Sequence, residues 1–176
     1  MVPPRSGRFP SRGRIRWRFL LSFVVVILAI FLARGCELDD EEQLRRIVLA
    51  MGDAFNDASA RGCVEPLAEN FHERVYNLDR MELRRILAGI FITERNRSDG
   101  SFRWRVECKP EEAVVEFPQG DPDRAHLEVP ARFYRRGSEG DQPTWEVRFA
   151  GTAARVDGEW RLVRAAFVTI GGRCPF

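Results

Sequence analysis

At Ser101 the apolar period of this chain changes from helical to alternating, and no other feature narrows the possible folds as far. Before that point Leu44, Ile47, Val48, Met51, Phe55 and Ala58 trace one helix face, which opens on the acids Asp39 to Glu42 and runs to Gly62. Pro66 suits the first turn of a short second helix through Leu67 to Asn70, followed by a brief strand over Phe71 to Tyr76. Asp79 and Glu82 have capping-box spacing, and Leu83, Ile86, Leu87, Ile90 and Phe91 then mark a third helix ending near Asn96. After Ser101, Phe102, Trp104, Val106 and Cys108 alternate with charged residues. So do Leu127 to Phe133 and Trp145 to Phe149, and Ala113 to Phe117 adds a short strand. Asp157-Gly158 is a tight hairpin signal joining two long strands, Trp145 to Val156 and Glu159 to Ile170. Helices followed by antiparallel strands predict an α+β domain.

A second constraint lies upstream. The apolar run Phe19 to Ala33 follows six arginines and precedes Arg34-Gly35-Cys36. Seven of the 28 basic side chains and none of the 26 acidic ones fall within residues 1–35, so the rest of the chain is net acidic. The run covers about 22 Å as a helix, less than a bilayer core of about 30 Å, unless Ile15 and Trp17 extend it while Arg16 and Arg18 reach the headgroups. It is read as a retained single-pass anchor: 1–18 a basic cytoplasmic tail, 19–35 the transmembrane or signal segment, and 37–176 a domain outside the cytoplasmic membrane. The alternative is a cleaved secretory signal, with Ala33 and Gly35 as the small residues before Cys36. The topology is the same either way.

Several chemistries are disfavoured. His72 and His126 lie far apart, and neither they nor the cysteines show metal-ligand spacing. There is no Gly-x-Ser-x-Gly, and Gly171-Gly172 lacks the lysine and hydroxyl of a phosphate loop. The arginines of the strands alternate with Glu107, Glu128 and Glu146, unlike a basic stripe for nucleic acid. No metal, cofactor or nucleic-acid partner is expected.

The order of elements, ending in Val156-Asp-Gly-Glu-Trp-Arg-Leu-Val163, resembles the nuclear transport factor two-like superfamily, also called SnoaL-like, over roughly residues 40 to 170. The resemblance implies an α+β cone, three helices packed on a curved antiparallel sheet, around a cavity used for ligand binding, isomerase or dehydratase chemistry, or protein contacts. Ligand-pocket candidates are His72 and Tyr76 on the early strand, Glu94 in the apolar stripe of the third helix, and Arg164 in the last strand. Arg164 faces the cavity if the strand is regular and turns outward if it is bulged. Val163, Ala165 and Phe167 form a second apolar face of that strand, the expected interface with a second copy or an envelope protein. Among the cysteines Cys36 stands apart at the membrane edge; Cys63, Cys108 and Cys174 are the disulfide candidates, with one internal bridge expected.

The sequence thus favours a non-catalytic ligand-binding or protein-assembly module over an enzyme. The alternative is an isomerase or dehydratase with His72 or Glu94 as base and Tyr76 or Arg164 stabilising negative charge. An enzyme requires those four side chains to converge in a polar cavity. A scaffold should instead expose Val163 and Phe167.

Overall fold

A computed structural model describes residues 39–137 and 142–176. The expected anchor and tail lie outside the described residues, as does Cys36. Among the described residues no helix is long and apolar enough to cross a membrane.

Helix α1 (Asp40–Asn56) has three acids in its first turn and buries Leu44 and Phe55. A short α2 (Ala60–Val64) follows, capped by the Ser59 hydroxyl, which accepts a hydrogen bond from the Gly62 amide at 3.1 Å. Strand β1 (Leu67–Glu73) then occupies the stretch where a helix through Asn70 was expected. Pro66 is the reason: its carbonyl accepts the Leu162 amide at 3.0 Å and so starts the pairing with the last strand. After β2 (Leu78–Asp79) comes α3 (Arg80–Thr93), with the expected capping box: the Asp79 carboxylate accepts the Glu82 amide at 2.7 Å, and Glu82 accepts the Asp79 amide at 3.0 Å.

The remaining strands are β3 (Trp104–Cys108), β4 (Val114–Glu116), β5 (Arg124–Arg135), β6 (Trp145–Val156) and β7 (Glu159–Gly172). They form one sheet in the order β2-β1-β7-β6-β5-β3, with β4 also on β5. The sheet is antiparallel except where β1 runs parallel to β7, a pairing that the expectation of an antiparallel sheet did not include. Asp157 and Gly158 both take positive φ, 53° and 85°, as the tight β6–β7 turn requires.

The helices pack on one face of this sheet. Phe55 of α1 meets Phe91, Phe102 and Phe133 edge-on, each at 5.4 Å between ring centroids. Such pairs contribute about 0.5–1.5 kcal/mol each beyond area burial. A second cluster joins Leu44, Leu67, Phe71, Leu127 and Leu162. At the start of α1, Asp40 accepts the Trp160 indole N–H at 3.1 Å and pairs with Arg155, tying the helix to the β6–β7 hairpin.

One irregularity in β7 decides which of its side chains face the helices. Thr152 pairs with Arg164 but Ala153 pairs with Leu162, leaving Val163 as an extra residue in a bulge. Trp160 and Leu162 point inward, and beyond the bulge the inward positions are Ala165 and Phe167. The phase of a regular strand is therefore reversed from Arg164 to Thr169, where a second shift, between Glu146 and Val147 of β6, leaves Ile170 unpaired.

Candidate functional site

Between the helices and the inner face of the sheet lies a cavity of about 680 Å³. Met51 and Phe55 come from α1, Leu83 and Leu87 from α3, and Phe149 and Phe167 from the sheet. Each sits where its element's apolar period meets the core, so the wall is the amphipathic pattern of the sequence folded inward.

Its polar content is small. Glu73 is the one carboxylate among the described lining residues, and it is 5% exposed. Its Oε1 accepts the Val75 amide at 2.7 Å and its Oε2 the Tyr76 amide at 2.8 Å. Both oxygens thus close the turn after β1, where Asn77 has φ 60°. Tyr76 lines the cavity from the rim, 62% exposed, with its ring 5.8 Å from that of Phe167.

Cys63, Cys108 and Cys174 all border this cavity and all are free, so the expected internal disulfide is absent from the structure. Burial pushes the Cys63 thiol up to about 12. Burial, aided by the carboxylates of Glu107 and Asp53, pushes Cys108 up to about 11. Both are protonated at neutral pH and act as small apolar parts of the wall.

The four ligand-pocket candidates do not converge. His72 and Arg164 are cross-strand partners in the β1–β7 pair, but both are exposed in a groove on the opposite face of the sheet. The Val163 bulge turns Arg164 outward. His72 follows from strand parity, since Phe71 and Glu73 take the inward positions of β1. Glu94 caps the end of α3 and accepts the Trp104 indole N–H at 2.9 Å, away from the cavity wall. Only Tyr76 borders the cavity. The interface set divides as well: Ala165 and Phe167 line the cavity, and Val163 lines the outer groove. The exposed large apolar residues of β7 are Val168 and Ile170. Glu73 is not one of the four pocket candidates, although its two-residue spacing from the core residue Phe71 puts both on one face of the strand.

No protein-family model and no curated protein matches the sequence. Solved structures do. A nuclear transport factor two-like protein with a cystatin-like fold from Novosphingobium aromaticivorans superposes with a TM-score of 0.60 at 18% identity, covering 83% of this chain and 92% of that one. A domain of unknown function with a cystatin-like fold from Nostoc punctiforme gives 0.58 at 19% identity, over 73% and 76% of the two chains. A proposed scytalone dehydratase from Novosphingobium aromaticivorans gives 0.56 at 14% identity, over 74% and 83%. The fold is nuclear transport factor two-like. Within this fold the cavity lies where helices close over a curved sheet, and fold alone leaves its use open. Here the wall is apolar, with one carboxylate already engaged by backbone amides.

Proposed function

We propose that the chain is a single-pass, membrane-anchored domain held outside the cytoplasm, whose cone binds an apolar small molecule without transforming it. The observation that carries this reading is the wall of the cavity. It is built from aliphatic and aromatic side chains, its thiols are protonated, and both oxygens of Glu73 are occupied. A site of this size and chemistry rewards burial of an apolar body and offers few groups to orient a polar one. The arginine-flanked run at 19–33 supplies the anchor and sets the orientation. A second copy or an envelope protein would meet the outer side of β7 at Val168 and Ile170.

A second reading has one observation in its favour: Glu73 and Tyr76 border the same cavity, as a carboxylate base and a phenolic donor would in an isomerase or dehydratase. One experiment separates the two. The full chain in phosphatidylcholine nanodiscs is titrated with the apolar fluorophore 1-aminoanthracene, alongside Ala165→Phe, which fills the cavity, and Glu73→Gln. The binding reading expects saturable fluorescence, lost about ten-fold or more in Ala165→Phe and retained in Glu73→Gln. Absence of saturable binding to the wild type sinks it. Turnover of a cyclic ketone or scytalone-type substrate that vanishes in Glu73→Gln would establish the enzymatic reading instead.

A further inference from the structure

The outer face of the sheet carries a groove distinct from the cavity. Register aligns His72 of β1 with Arg164 of β7, Arg164 with Thr152 of β6, and Thr152 with His126 of β5. Residues aligned across neighbouring strands share a face, so these four side chains stand in one row across the sheet. Strand spacing of about 4.8 Å puts the row's ends roughly 14 Å apart. The row forms the floor of a groove of about 880 Å³, walled by Arg74 beyond the end of β1 and by Arg124 at the start of β5.

The charges in this groove are unbalanced. Arg74 and Arg164 have no ion-pair or side-chain hydrogen-bond partner among the described residues. The one acid on the wall, Asp121, lies 3.7 Å from the Arg124 guanidinium. Glu116 of β4 pairs with His126 at the far end of the row, so the unpaired positive charge of the groove lies at Arg164 and Arg74. Thr152 stands beside Arg164 with its hydroxyl 3.5 Å from His126 Nδ1, a neutral donor in the middle of the row. Pro118, Val156 and Val163 give the groove an apolar flank. The Val163 bulge makes the site, because without it Arg164 would face the cavity.

We propose that this groove binds a phosphate-bearing organic ligand, with Arg164 and Arg74 on the phosphate, Thr152 and His72 as further donors, and the apolar flank against the ligand's body. Guanidinium groups match phosphate oxygens in geometry as well as charge, and two unpaired ones lining one groove with a hydroxyl offer such an anion the donors it needs. The same chemistry is presented by a soluble phosphate monoester and by the phosphodiester headgroup of a lipid.

The test titrates the full chain in phosphatidylcholine nanodiscs with glycerol 3-phosphate and, separately, with glycerophosphoglycerol, the water-soluble headgroup of phosphatidylglycerol. Arg164→Gln is compared with Arg84→Gln, an exposed arginine of α3 outside the groove. The expected result is saturable binding of one of the two probes, weakened at least about ten-fold in Arg164→Gln, unchanged in Arg84→Gln, and with the thermal midpoint unaltered in both variants. Preference for the monoester assigns a soluble metabolite, and preference for the diester assigns a lipid headgroup. Absence of binding by either probe, or equal losses in the two variants, overturns the proposal.

Discussion

At Gly172 the backbone has φ +69°, and a Cβ there would sit 2.1 Å from the Thr144 carbonyl oxygen. At Gly89, in the middle of α3, a Cβ would meet nothing within 4 Å. Opposite outcomes are therefore expected from one substitution. Gly172→Ala should lower stability by about 2 kcal/mol through backbone strain and displacement of the strand end. Gly89→Ala should raise it by up to about 1 kcal/mol through helix propensity. Urea denaturation monitored by tryptophan fluorescence reads both. A third residue sets an acid limit. The Trp160 indole N–H, with Arg155, holds the Asp40 carboxyl below its ordinary value of 3.8, against a smaller opposing effect of burial. A lowered folded-state value stabilises above 3.8, and the contribution is lost as pH falls through the lowered value. Asp40→Asn should be less stable than the wild type at pH 7, and the difference should shrink below pH 4. A constant gap down to pH 2 would remove Asp40 from the acid transition. Features of this scale were legible in the sequence where they were local. The Asp79–Glu82 box and the Asp157–Gly158 turn each depend on residues within four positions of one another. The Asp40–Trp160 contact spans most of the domain and left no local trace.

The same distinction between local and distant causes explains the errors at the scale of elements. The long strands were readable because alternation is a property of a single strand. Which face of β7 is buried was not, because the Val163 bulge exists only in the pairing with β6. One unpaired residue exchanged the faces of the residues that follow it, up to the second irregularity near Ile170, so Ala165 and Phe167 fell on the side opposite to that expected and Arg164 took the outward position that goes with a bulged strand. Deleting Val163 offers a direct check. With the bulge removed, Phe167 leaves the cavity wall and Arg164 is forced toward it. A loss of at least about 3 kcal/mol follows, comparable to truncating a buried aromatic. Val163→Ala keeps the bulge and should cost no more than about 1 kcal/mol. If the deletion cost no more than the alanine substitution, the bulge would not be setting the register. The helix expected at Leu67 to Asn70 failed for a related reason: Pro66 permits either a helix start or a strand start, and the parallel pairing with β7 chose the second.

At the scale of the whole molecule, the cavity joins the reactivity of the thiols to the occupancy of the cone. Cys63 and Cys108 lie on its wall with their thiols raised to about 12 and about 11, whereas Cys174 is exposed. Only the thiolate is alkylated at an appreciable rate, so at pH 8 Cys174 should react with iodoacetamide far faster than the two buried cysteines. Peptide mass spectrometry of the full chain separates their rates from that of Cys36. A bound apolar molecule should slow Cys63 and Cys108 further. At about 100 times its Kd it should also raise stability by about 2.7 kcal/mol. Alkali gives the complementary result. Because the folded-state values exceed the ordinary thiol value of 9.0, the stability these residues contribute is intact below pH 9 and falls as pH rises toward 11 and 12. Cys63→Ala should flatten that alkaline decline, and adding a reductant at neutral pH should leave the thermal midpoint where it was, since no bridge among Cys63, Cys108 and Cys174 is there to be broken. A midpoint that dropped on reduction would mean that two of these thiols are joined in the protein, and the cavity they border would then be held by a covalent strut instead of by packing alone.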